Sequence, residues 1–154
     1  MKRKCLLLLT LLVLSIFLSG CSGGIVNFSI DKEKIENVIN DFFIALSDQN
    51  WSKVKSNCVD GSEIYNKLVE LEEAWNDGVF LIEECSGSFY VDDINYILDI
   101  GAININGEYA DAYTYLTSIL IFDNNIIEEY YEEGWLLLKR INNDWKLYDS
   151  SETV

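Results

Sequence analysis

No histidine occurs anywhere in the sequence. Imidazole-based acid–base catalysis, Ser-His-Asp and Cys-His arrangements, and every imidazole-ligated zinc site are therefore excluded. Chemistry, if any, must come from carboxylates, phenols and thiols. Asp99 stands in the otherwise apolar stretch Tyr96-Ile97-Leu98-Asp99-Ile100. Buried there, its carboxyl would have a raised pKa and could act as a base; the competing reading turns it to solvent. Glu128, Glu129, Glu132 and Glu133 surround Tyr130 and Tyr131. Carboxylate oxygens suit calcium, but the Asp-x-Asp-x-Asp-Gly spacing that would make a calcium loop specific is missing. The run reads as a solvated face or a docking patch for a basic partner, and neither a metal nor a cofactor is expected. Cys58 and Cys85 either form a disulfide or are two separate buried thiols. No basic cluster flanks either one to activate it as a nucleophile.

A further thiol chemistry lies near the start of the chain. Lys2, Arg3 and Lys4 form a basic segment, Cys5 to Leu18 is an apolar run, and Leu18-Ser19-Gly20-Cys21 follows. The run has the length of a signal-peptide core and is short of the ~20 residues a membrane-spanning helix needs. The tetrapeptide resembles the lipobox of bacterial lipoproteins, in which the cysteine thiol takes a diacylglyceryl group and the chain is cut before it. That resemblance implies a signal peptide over 1–20 and acylation of Cys21. It also implies residence in the cell envelope, on the extracytoplasmic side of a membrane. Two acyl chains give stable attachment where one is marginal.

Cleavage before Cys21 would remove 20 of the 154 residues and leave 134, enough for one domain with a core. Residues 21–29 read as a tether, which if extended reaches at most roughly 25 Å from the lipid. Loss of Lys2, Arg3 and Lys4 reduces the 11 basic residues to 8 against 26 acidic ones, a net charge of −18. Such a surface repels phosphate backbones and anionic headgroups, so nucleic acid is excluded as a partner and lipid must supply the anchoring.

Residues 30–150 carry the domain. Asp31 reads as an N-cap, with Ile30 and Ile35 at staple spacing, and Ile35, Val38, Ile39, Phe42, Ala45 and Leu46 recur at helical spacing over 32–47. A short helix over 51–58 follows, capped by Asn50, and Ser62 caps a third that carries Ile64, Leu68, Leu71 and Trp75 and stops at Gly78. A short strand is predicted at 79–82. Beyond it, Ile, Tyr, Thr and Leu dominate. Asn106-Gly107, Asp123-Asn124-Asn125 and Asn142-Asn143-Asp144 mark turns between strands over 95–105, 108–122, 126–141 and 144–149, with a bulge or bend at Gly134. Helices followed by an antiparallel meander make an α+β domain with helices packed on one sheet face.

Two local patterns resemble the NTF2-like (SnoaL-like, cystatin-like cone) superfamily. One is Ile39-x-x-Phe42-Phe43-x-Ala45-Leu46 with Asp48-x-x-Trp51. The other is Gly134-Trp135-x-Leu137-x-Lys139 with the closing Asn142-Asn143-Asp144-Trp145-Lys146-Leu147-Tyr148. The resemblance spans about residues 30–150 and implies a cone whose sheet and helices enclose a pocket. Tyr96, Tyr113, Tyr115 and Trp135, with Trp75, are then candidate ligand-pocket residues, or simply the filling of the cone. Three functions are compatible with it. The first is a tethered domain that binds a protein partner or small ligand without catalysis. The second is an enzyme using Asp99 and a tyrosine on a small neutral molecule. The third is an assembly module whose outer sheet face forms a homodimer.

Overall fold

The computed structural model of the protein describes residues 22–77, 91–122 and 127–152. The signal segment 1–20, Cys21, the Gly78 helix stop, the strand predicted at 79–82, Cys85 and the turn at 123–125 lie outside them. The chain divides into two compact units, Met1–Glu33 and Lys34–Val154. Among the described residues the first holds the opening turns of helix α1 (Ser22–Ser47), and the second holds the rest of α1 and every later element.

α1 begins well before the cap expected at Asp31: residues 22–31 are already helical, so the stretch read as an extended tether rises as helix. An Asp within a helix costs only a fraction of a kcal/mol, and that penalty does not stop propagation here. The predicted apolar stripe is real. Ile35, Ile39, Phe42, Phe43 and Ala45 are buried. Helix α2 (Trp51–Ser56) is capped as expected, Asn50 accepting from the Lys53 N–H at 3.2 Å. Helix α3 (Glu63–Asn76) is capped by Ser62, which accepts from the Tyr65 N–H at 3.3 Å.

Four strands follow: β1 (Val91–Asn106), β2 (Tyr109–Phe122), β3 (Ile127–Ile141) and β4 (Asp144–Glu152). They form one antiparallel meander in sequence order. The Asn106-Gly107 signal marks the first hairpin, where Asn106 pairs with Tyr109 and Gly107 takes φ +65° in the two-residue loop. Asn142 and Asn143 both take positive φ between the paired Ile141 and Asp144, as a type I′ turn requires.

The bulge expected at Gly134 is not there: Gly134 pairs in regular register with Thr114 on one side and Glu152 on the other. The irregularities fall instead between Val91 and Asp93, between Ile100 and Ile103, around Gly101, and between Leu137 and Leu138 toward β4. Gly101 sits under the Tyr113 and Tyr115 rings, so a bend in β1 serves that position better than one at Gly134.

The core joins α1 and the sheet. Leu138 and Leu147 are fully buried and share one cluster with Ile35, Ile39 and Val54. The segment after α2 is stitched to β4: the Val59 N–H donates to the Leu147 carbonyl at 2.7 Å, and the Leu147 N–H to the Asn57 carbonyl at 2.9 Å. Trp145 is buried beneath the Arg140 guanidinium, 4.6 Å from its ring centre.

A candidate ligand pocket on the inner sheet face

Strand alternation assigns each side chain to a face. On β2 the buried Ala110, Ala112, Thr114, Leu120 and Phe122 define the inner face, and Leu116 and Ser118 share their parity. Through the register, Ile94, Tyr96 and Leu98 of β1 and Tyr130, Glu132 and Leu136 of β3 lie on that face too. Small residues at 110 and 112 leave room there for the apolar stripe of α1.

Between this face and the helices of the same unit runs a trough with two lobes. One, of about 490 Å³, is lined by Phe42, Phe43, Ile64, Thr114, Leu116 and the β3 segment Glu132–Leu136, with Ser150. The other, of about 420 Å³, is lined by Leu46, Ile94, Tyr96, Ser118, Leu120 and Tyr130. Phe43, Leu116 and Glu132 line both. Both lobes are open to solvent rather than enclosed, with volumes in the range of small-molecule clefts.

The aromatic wall is continuous. Phe42 packs edge-on against Phe43 with ring centres 5.1 Å apart, and Phe43 lies 5.5 Å from Tyr96. The polar groups have distinct roles. The Thr114 hydroxyl donates to the Gly134 carbonyl at 3.3 Å, tying β2 to β3 across the floor. The Tyr130 hydroxyl donates to Glu128 at 2.5 Å. The Tyr96 hydroxyl is pushed up to about 12, mainly by burial and further by the charge of Glu132. It therefore keeps its proton at neutral pH.

Of the residues singled out from sequence, Tyr96 lines the trough. Trp75 sits beside it, lining a small void with Trp51, Leu71 and Ile94, its ring 6.4 Å from that of Trp51. Trp135 reaches the rim of the larger lobe, yet its ring packs 4.9 Å from Tyr113. Tyr113 and Tyr115 are on the opposite face, ring centres 5.2 Å apart, and neither lines the trough. The inner positions of β2 have no room for them, because α1 packs there, whereas the outer face leaves their hydroxyls hydrated. Asp99 pairs with Tyr115 on that outer face and is exposed, so the solvent-facing reading holds and the buried-base arrangement does not form. Cys58 is a free thiol, 2% exposed, donating to the Val54 carbonyl at 3.6 Å. Burial pushes it up to about 12 against the opposing pull of Lys146. The buried-thiol alternative describes Cys58, while Cys85 is outside the described residues.

Sequence reasoning missed Phe43, Thr114, Leu116, Tyr130 and Glu132 as pocket residues. The signal for Glu132 was present. The acidic run splits by strand parity, and Glu132 falls on the same face as Leu136 and Leu138. Among the described residues no group of three or more His, Cys, Asp or Glu is placed to hold a metal ion. No described helix is long and apolar enough to cross a membrane.

No protein-family profile matches the chain, and no curated protein matches it. Solved structures do. A protein of unknown function from Mycobacterium tuberculosis superposes with a TM-score of 0.63 at 11% identity, covering 84% of this chain and 74% of its own. A scytalone dehydratase candidate from Novosphingobium aromaticivorans gives 0.61 at 11% identity, covering 81% and 85%. A dehydratase candidate of the NTF2-like family from Streptomyces avermitilis gives 0.59 at 12% identity, covering 82% and 99%. At such identities the likeness concerns the fold alone. Helices followed by a four-stranded curved antiparallel sheet match the cone of these NTF2-like structures.

Proposed function

We propose that the chain is a lipoprotein held by acylated Cys21 on the extracytoplasmic side of an envelope membrane. We further propose that its cone binds a small ligand without transforming it. The observation carrying the second part is the trough itself. It has the volume and aromatic wall of a binding site, but its half-buried Tyr96 phenol stays protonated and Asp99 lies across the sheet from it. Some structural neighbours are dehydratase candidates. An enzyme of that kind built on Asp99 and a tyrosine finds no support here, because the two are not brought together inside the cone.

The trough reading is tested by saturation-transfer NMR with a panel of small water-soluble aromatic compounds. At least one compound should receive saturation from the wild-type chain and lose it in Leu116→Trp, which fills the wall common to both lobes. A thermal melt establishes that the variant is folded. If every compound behaves alike in the two proteins, the trough is not a ligand site. For the anchor, growth with alkyne-tagged palmitate should label the wild type and not Cys21→Ser, and an unlabelled wild type would sink that half.

A second reading rests on the outer sheet face. Ile97, Ile127 and Tyr131 are 61%, 62% and 74% exposed, on the same face as the Tyr113–Tyr115–Trp135 cluster. An apolar strip of this kind is what a homodimer would cover. Light scattering of the intact chain and of Ile97→Lys tests it, because a dimer should become a monomer in the variant.

A further inference from the structure

Both lobes of the trough meet at one carboxylate. Glu132 lines each of them, and among the described residues no Lys or Arg lines either. The described ion pairs lie elsewhere, on the helices: Lys53 with Asp41, Lys55 with Glu72 and Lys67 with Glu63. The rings of Phe43, Tyr96 and Tyr130 line the same lobe as Glu132. Their faces carry negative quadrupole charge, which attracts a cation within about 6 Å of a ring centre. Glu133 lines only the larger lobe, so Glu132 is the carboxylate common to both. The chain as a whole carries −15, a field that concentrates cations near the opening and depletes anions.

We propose that the trough is a site for a small organic cation with an apolar or aromatic body, an amine or quaternary ammonium, with Glu132 as counter-charge and Phe43, Tyr96 and Tyr130 as the aromatic wall. This rests on the reading of the trough as a ligand site and specifies its chemistry. The apolar body fills the space along Leu116 and Phe43, while the charged head sits between the carboxylate and the rings. An anionic ligand of the same shape meets Glu132 and the net negative field together and is rejected. A neutral one keeps the apolar contacts only.

The test uses the full chain in zwitterionic nanodiscs, titrated by NMR with benzyltrimethylammonium, benzyl alcohol and phenylacetate. The cation should bind about tenfold more tightly than the alcohol, the combined effect of the ion pair and the ring faces. Phenylacetate should bind most weakly. Glu132→Gln should remove most of the cation's advantage over benzyl alcohol. Glu132 is itself exposed at the mouth of the trough, so the control is Glu70→Gln, which removes the same charge from an exposed position on α3 that lines neither lobe and should leave that advantage intact.

Equal binding of all three probes, or an unchanged preference in Glu132→Gln, overturns the cation assignment while the ligand site stands. Equal losses in Glu132→Gln and Glu70→Gln overturn it as well, since the preference then comes from net charge and not from a built site. Failure of every probe to bind removes the assignment and the ligand site together.

Discussion

Burial sets the protonation of the two side chains in this fold that could otherwise have been reactive. Cys58 is held in the core with the carbonyl of Val54 as its sulfur's partner, and desolvation lifts it from 9.0 to about 12. Tyr96 rises from 10.0 to about 12 for the same main reason, with Glu132 adding to it. In each case the native state keeps a proton that the unfolded chain releases at lower pH. The stabilisation is therefore complete below about pH 9 and is lost progressively as pH rises through 9 and 10 toward 12. Urea midpoints of the wild type should fall across that window, and the fall should be shallower in a Cys58→Ala, Tyr96→Phe double variant. A wild-type midpoint flat from pH 9 to 11 would contradict the burial argument. At this scale the sequence was only partly legible. The absence of histidine and of activating neighbours already spoke against thiol catalysis, and Asp99 did turn to solvent. Which tyrosines face the cone depended on parity relative to α1. Ala110 and Ala112 encode that parity through their small size, and an aromatic count does not reveal it.

Local sequence signals decided the elements wherever geometry left them no competitor. Asn50 and Ser62 cap helices as their side chains dictate, and the two asparagines at 142–143 close a hairpin that needs positive φ at both positions. Asp31 and Gly134 misled because each residue type tolerates more than one role: Asp can sit inside a helix, and Gly can sit in a regular strand. The two glycines at the ends of this range make a paired prediction. Gly107 has φ +65° with nothing within 4 Å of a built Cβ, so Gly107→Ala should cost about 1 kcal/mol through backbone strain alone. Gly101 has no such φ. Its built Cβ meets Tyr115 Cε2 at 3.5 Å and the Tyr113 carbonyl at 3.6 Å, ordinary packing distances. Gly101→Ala should therefore stay within roughly 0.5 kcal/mol of the wild type, as substitutions free of a specific conflict do. Denaturant melts of the two variants separate these cases, and equal costs would mean that the bulge strains β1. The core packing between Val54 of α2 and β4 is tested by Leu147→Ala. That side chain is fully buried, and its truncation should cost about 2–5 kcal/mol.

At the scale of the whole molecule, element order made the fold readable. Helices followed by a meander admit few packings, and the cone is one of them. The trough was less readable because its wall is built from residue types that also make cores, and parity alone puts Glu128 on the same face as Glu132. Charge adds a constraint that neither fold nor pocket supplies. Without Lys2, Arg3 and Lys4 the chain carries 8 basic residues against 26 acidic, and a surface at −18 is repelled by an anionic bilayer within roughly 10 Å at 0.1 M salt. If Cys21 carries the anchor, the protein portion contributes nothing to membrane residence and works against it. A chain beginning at Ser22, which lacks both the lipid and the apolar segment, should remain in the supernatant when spun with phosphatidylglycerol vesicles at 0.1 M salt. It should do the same with zwitterionic vesicles. Sedimentation with the anionic vesicles would mean that the domain has a membrane-binding face of its own, strong enough to overcome its charge, and the anchor would then have to be sought on the protein surface as well as at Cys21.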